Sequence, residues 1–136
     1  MEVTDNRRCI VCGPENPIGL KVRPQYDRES GRAWLTTVLP ADFQGWAGVA
    51  HGGVIAALLD EVSAYAAMTE SRQIVTAELT VRYLKPVPLG RELFVEARVL
   101  ERIRRSLTVE AVMSCEGEAM ARATARMVVL RPPPGA

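Results

Sequence analysis

The spacing of apolar residues changes character along the chain. From Val54 the apolar positions Val54, Ile55, Leu58, Leu59, Val62, Tyr65 and Ala66 recur at the period of one broad helical face. Most remaining positions in that stretch are alanine (Ala56, Ala57, Ala64 and Ala67). The pattern predicts a helix that starts at His51-Gly52-Gly53 and ends near Thr69 or Ser71. A helix that is apolar nearly all round is a buried one.

Elsewhere the pattern alternates at period two. Ala33–Leu39 reads as a strand closed by Pro40, followed by a glycine-containing loop over Ala41–Val49. Val75–Leu84 places Val75, Ala77, Leu79, Val81 and Tyr83 on one face and Thr76, Glu78, Thr80 and Arg82 on the other. Lys85-Pro86-Val87-Pro88-Leu89-Gly90 ends it. Leu93–Leu100, Leu107–Met113 and Ala119–Leu130 predict three more strands, with turns at Glu101–Arg105 and Glu116-Gly117. Residues 1–16 form an irregular lead-in, Gly19–Arg23 a short strand, Asp27–Gly31 a turn, and 131–136 a frayed, proline-rich tail. The fold class is α+β. One long central helix packs on an antiparallel sheet whose last strands are joined by short turns, in a single domain spanning residues 1–136. No βαβ alternation occurs, which argues against dinucleotide-binding and barrel folds.

At 136 residues, 48% hydrophobic and 24% charged, the chain can bury a sizeable core without staples. Seventeen Lys and Arg against sixteen Asp and Glu leave a formal charge of +1, so neither composition nor charge points to nucleic acid. Asp60 and Glu61 interrupt the longest apolar stretch, so no membrane span is expected, and no signal peptide is visible. Three cysteines cannot form an even disulfide framework, and a reduced, cytoplasmic protein is the expectation.

The densest chemistry lies in Gly48-Val49-Ala50-His51-Gly52-Gly53 and the helix behind it. Bare backbone N–H groups at a helix start can stabilise a developing oxyanion; the alternative is a tight turn that admits the helix beneath the sheet. Asp60 stands mid-helix in apolar company, a costly place for a carboxylate unless it is paired or at an interface, or unless the helix shows Asp60 and Glu61 to water. Glu61 lies about 100° further round, so the two cannot face one point. His51, the lone histidine, caps the helix or orients the loop. Cys9-x-x-Cys12 has half the spacing of a zinc ribbon, but the chain has no second pair. Arg102, Arg104 and Arg105 read as a solvated turn or as a small cationic patch for phosphates. Phosphate-loop, dinucleotide and nucleophile-elbow motifs are absent from the sequence.

The run Ala50-His51-Gly52-Gly53-Val54-Ile55-Ala56-Ala57-Leu58-Leu59-Asp60-Glu61 resembles the HGG…D signature of hotdog-fold acyl-CoA thioesterases of the PaaI-like (phenylacetic acid degradation) branch. Thr76–Pro88 resembles that family's first strand after the helix, and Cys9–Asn16 its CxxCG…NP lead-in. The resemblance, which extends from about Gly19 to Leu130, implies homodimers, often assembled as homotetramers, with active sites across the dimer interface. It implies that Gly52, with Gly53, meets the thioester carbonyl and that Asp60 of the partner subunit is nucleophile or general base. Thr76 would position that carboxylate or water, His51 of the signature counts with Asp60, Gly52 and Thr76 among the catalytic candidates, and Gln44 would help hold water. Lys85, Arg104 and Arg105 would meet the phosphates of coenzyme A, and Trp46, Leu59 or Tyr65 the acyl group. No metal or separate cofactor is implied, since coenzyme A is part of the substrate. Two other readings stay open: an acyl-thioester dehydratase or hydratase on the same fold, and a non-catalytic acyl-CoA-binding domain.

Overall fold

The computed structural model describes residues 1–132. Of the expected frayed tail, residues 133–136 lie outside the described residues. The elements are β1 (Gln25–Asp27), β2 (Arg32–Val38), a single 3-10 turn at Ala41–Phe43, α1 (Gly52–Ala67), β3 (Ile74–Tyr83), β4 (Glu92–Ile103), β5 (Ser106–Cys115) and β6 (Glu118–Val129). The six strands form one sheet in the order β1-β2-β4-β5-β6-β3, with every neighbouring pair antiparallel.

The core follows from the two periodicities. Leu93, Val95 and Ala97 of β4, Leu107, Val109, Ala111 and Met113 of β5, and Ala121, Ala123, Ala125 and Met127 of β6 are buried at alternate positions. They meet Ile55, Leu58, Leu59, Val62 and Ala66 of α1. The helix touches all six strands, so the sheet wraps it. Alanines along β6 leave room for a helix carrying leucines. Leu58 is fully buried, and its truncation to alanine would cost about 2–5 kcal/mol. Glu116 and Gly117 both have positive φ (51° and 79°), the backbone of a tight two-residue hairpin between β5 and β6.

Four sequence expectations are corrected. Gly19–Arg23 is not a strand: Leu20 and Val22 donate to the carbonyls of Ile10 and Val11, and Lys21 has a φ of 53°. The charged turn is shorter than expected, because β4 runs through Ile103 and only Arg104 and Arg105 turn. β3 does not form a hairpin with β4; it pairs with β6 at the far edge of the sheet. The proline-rich link makes that crossing. Val87 is buried and accepts from Ala50 N–H at 2.9 Å, and Pro88 bridges to Val49.

The fourth correction concerns β3 itself. Its register with β6 shifts between Thr76 and Glu78, so Ala77 is an extra residue in a β-bulge. One extra residue reverses the phase of alternation. Thr76 therefore shares the helix-facing side with Tyr83 instead of lying opposite it, and both side chains bond to α1.

Candidate active site

The start of α1 accounts for its orphan N–H groups one by one. His51 is the N-cap residue; its Nδ1 accepts from Gly53 N–H at 2.8 Å, and its carbonyl accepts from Val54 and Ile55 at 3.0 and 3.1 Å. That uses three of the four donors of the first turn. Gly52 N–H is the one left without an internal partner among the described residues. Gly53 N–H, one of the two candidate oxyanion donors, is already given to His51. A Cβ at Gly53 would stand 3.1 Å from the imidazole, so this glycine serves the cap. The imidazole acts here as a capping acceptor, which is one of the two roles its place before the helix allows.

Tyr83 adds a contact that the alternating pattern of β3 did not reveal. Its hydroxyl donates to Gly52 C=O at 2.8 Å, pinning the peptide next to the free N–H. Alternation marked Tyr83 only as an apolar-face residue.

Two turns further along, Asp60 is half-buried, and its Oδ1 accepts from the Thr76 hydroxyl at 2.7 Å. The bulge at Ala77 is what aims Thr76 there. The hydrogen bond fixes the direction of the carboxylate. Eight residues separate Gly52 from Asp60, a rise of about 12 Å along the helix. One carbonyl group cannot touch both within a single chain.

Glu61 is not shown to water. It is half-buried, and its carboxylate accepts from Cys9 Sγ at 3.5 Å. Burial pushes the Glu61 carboxyl above its ordinary range and the Cys12 thiol up to about 12. Tyr65 packs there as well, its hydroxyl 3.5 Å from Cys12 Sγ, and burial raises it too.

The remaining candidates are dispersed. Gln44 Oε1 accepts from Gly48 N–H at 3.4 Å, which ties the loop before the helix. Lys85 pairs with Glu118 at one end of β6. Arg105 lies at the other end, its carbonyl accepting from Val129 N–H at 2.8 Å, beside Arg104 with its φ of 56°. The length of β6, about 35 Å, separates these cations within one chain. The three suggested acyl contacts do not converge: Leu59 is sealed in the core, Tyr65 faces Cys12, and Trp46 is 87% exposed. An apolar groove of about 270 Å³ lies instead beside the helix start, lined by Ile10, Ile18, Phe43, His51, Val54 and Ala57.

Comparison with known proteins follows the same line. The thioesterase superfamily model matches residues 47–121, more than half of the chain. The chain belongs to the thioesterase superfamily. The match takes in the capped helix start, Asp60, Thr76 and Tyr83, and the wrapped helix is the hotdog fold. A crystal structure described as a thioesterase superfamily protein is 29% identical with a TM-score of 0.83, over 90% of this chain and 63% of that one. The chain thus spans under two thirds of that protein's length. A phenylacetic acid degradation-related protein from Ralstonia eutropha JMP134 is 28% identical, with a TM-score of 0.74 over 81% of this chain and 86% of that one. A Streptococcus mutans UA159 protein solved with acetyl-CoA bound is 25% identical, with a TM-score of 0.76 over 86% and 94%. No curated protein matches the sequence. No helix among the described residues is long and apolar enough to cross a membrane.

Proposed function

We propose that this member of the superfamily is an acyl-CoA thioesterase, hydrolysing an acyl-CoA to the free acid and coenzyme A. The observation that carries this reading is the pairing of two prepared groups on one helix. Gly52 N–H is unspent at the positive end of the helix dipole, and Asp60 is a half-buried carboxylate held by Thr76. The first polarises a thioester carbonyl and takes its developing negative charge. The second attacks the carbonyl carbon, or takes the proton of a water that does. In either route the carbon–sulfur bond breaks, and coenzyme A leaves as thiolate and is then protonated. If Asp60 attacks, water hydrolyses the resulting anhydride and restores the carboxylate.

The separation of about 12 Å between these groups is why this reading draws them from two chains. β3 is the long edge strand of the sheet, and its outer side is open for pairing. Two copies joined antiparallel along β3 about a two-fold axis bring the Tyr83 end of one beside the Ile74 end of the other. Gly52 then comes towards Asp60 and Thr76 of the partner subunit. The same operation carries Lys85 towards the Arg104 and Arg105 of the partner subunit, a cationic rim for the phosphates of coenzyme A. The apolar groove beside Gly53 accepts the acyl group. The homodimer is therefore the smallest unit with a whole site, and two dimers can pair as a tetramer.

The test is release of free thiol from a panel of acyl-CoAs by the purified protein, with Asp60→Asn in parallel. Turnover of a panel member by the wild type, lost in the variant, supports the assignment. Acyl-CoA binding without turnover in the wild type would replace it with a binding module.

A further inference from the structure

About 100° round α1 from the Asp60–Thr76 pair, three metal-ligating groups converge that the hydrolytic reading does not use. Cys9 Sγ, Cys12 Sγ and a Glu61 carboxylate oxygen all lie within 4.8 Å of one another. We propose that Cys9, Cys12 and Glu61 form a zinc-binding site that clamps the N-terminal lead-in to the central helix.

The separation of Cys9 and Glu61 suits tetrahedral zinc. With Zn–S near 2.3 Å and Zn–O near 2.0 Å, a tetrahedron sets sulfur and oxygen ligands about 3.5 Å apart. Cys9 Sγ and Glu61 Oε2 stand 3.5 Å apart, joined by the thiol proton that a cation would displace. Binding releases one proton from each thiol, leaving two thiolates and a carboxylate on the metal. Thiolate ligands select zinc over magnesium or calcium.

The surrounding backbone turns two N–H groups onto the first sulfur. Val11 and Cys12 N–H both point at Cys9 Sγ, at 3.3 and 3.5 Å. Such N–H donors stabilise a negatively charged sulfur. Gly13 closes the turn with its N–H on Cys9 C=O at 2.9 Å. A Cβ on Gly13 would lie 2.3 Å from Cys9 N and 2.6 Å from Cys9 O, so only glycine permits this knuckle. The Tyr65 hydroxyl supports Cys12 Sγ at 3.5 Å. Among the described residues Glu61 has no salt bridge to a Lys, Arg or His. The three ligands share a cleft of about 610 Å³ with Asp5 and Tyr65, so the fourth coordination position is open to water. The two cysteines also lie outside the residues that the family model matches.

The full chain, reduced and stripped with chelator, is titrated with Co²⁺ alone and then with Zn²⁺. The expected result is one Co²⁺ per chain, with thiolate-to-metal charge-transfer absorption and intense tetrahedral d–d bands that Zn²⁺ erases. Cys9→Ser or Cys12→Ser removes the charge-transfer band. Cys115→Ser, in the core away from the cluster, keeps it. Glu61→Gln retains thiolate absorption but weakens Co²⁺ at least about tenfold. One equivalent of Zn²⁺ raises the wild-type Tm by about 5 °C or more. The proposal is overturned if the folded, fully reduced wild type shows no band, or if the band survives loss of both Cys9 and Cys12. Should the cysteine variants fail to fold, an unchanged wild-type Tm with Zn²⁺ overturns it instead. None of these readouts depends on thioester hydrolysis.

Discussion

Asp60 and Glu61 are neighbours in sequence and strangers in space. The helix turns about 100° between them, which sends one carboxylate to the edge strand and the other to the lead-in. Asp60 accepts from the Thr76 hydroxyl at 2.7 Å through one of its two oxygens. Glu61 meets sulfur at 3.5 Å and is pushed towards its protonated form by burial. Two carboxylates one methylene apart in length thus meet a hydroxyl on one side and thiols on the other. What decides between them is the set of donors that the opposing element presents: a single bulged strand in one case, a glycine-closed knuckle in the other.

The largest expected effect falls on the edge-strand side. Asp60→Asn preserves shape and can still accept from Thr76, yet it is a poor nucleophile and no base. Thioesterase kcat should fall by about 10²–10⁴-fold, while stoichiometric Co²⁺ binding at Cys9, Cys12 and Glu61 is retained. A variant that kept its turnover would move the chemistry away from this carboxylate. Thr76→Val comes next. It removes a hydrogen bond to a charged group, a loss of about 1.5–3 kcal/mol, which reads as about a 10–100-fold drop in kcat with KM little changed. A change confined to KM would make Thr76 a substrate contact rather than a positioning residue.

The central helix and the three long strands after the proline link were legible because each has a clean period: 3.6 for Val54–Ala66 and two for the alternating leucines, valines and alanines of β4 to β6. What periodicity does not encode is which edge receives a strand. β3 lies beside β6 because Val87 is buried in the crossing link and Ala50 bonds to it, a tertiary event with no local signature. The bulge at Ala77 is equally silent, and it alone turns Thr76 from the outward face to the helix. Asp60, His51 and Gly52 were legible through the glycine pair and the cost of a mid-helix carboxylate. Tyr83 was not, because its partner is a backbone carbonyl, which carries no residue signature. The Cys9–Glu61 contact joins positions 52 residues apart. The Cys9-x-x-Cys12 spacing marks the two thiols locally but not their carboxylate partner.

On the lead-in side the sharpest structural break is Gly13→Ala. The added methyl meets backbone atoms of Cys9 and the Arg7 carbonyl at 2.3–2.7 Å, so the knuckle must open. A loss of about 1–3 kcal/mol is expected, read as a lower Tm and as Co²⁺ affinity falling with it. Gly48→Ala meets nothing within 4 Å and is strained only through its φ of 82°, a milder cost. Gly13 has no positive φ, so if both substitutions lowered Tm equally, the knuckle would have to yield around the added methyl.

The smallest effect is also the most selective. Tyr83→Phe deletes one neutral hydrogen bond, to Gly52 C=O, and leaves the ring in place. The exposed phenol can be replaced by water at that carbonyl, so stability should shift by less than about 1 kcal/mol. Its influence on hydrolysis is indirect. The bond holds the peptide that follows Gly52 N–H, so on the proposed mechanism its loss lets that donor wander from the oxyanion. An oxyanion donor acts chiefly in the transition state. The expected signature is about a fivefold fall in kcat with KM and Tm nearly constant, and with the pH profile unmoved. A pH profile that shifted in Tyr83→Phe would make the phenol a proton carrier. Asp60 would then share the proton transfers with a group at the far end of β3 from Thr76, and the division of labour between the two faces of α1 would no longer rest on its carboxylates alone.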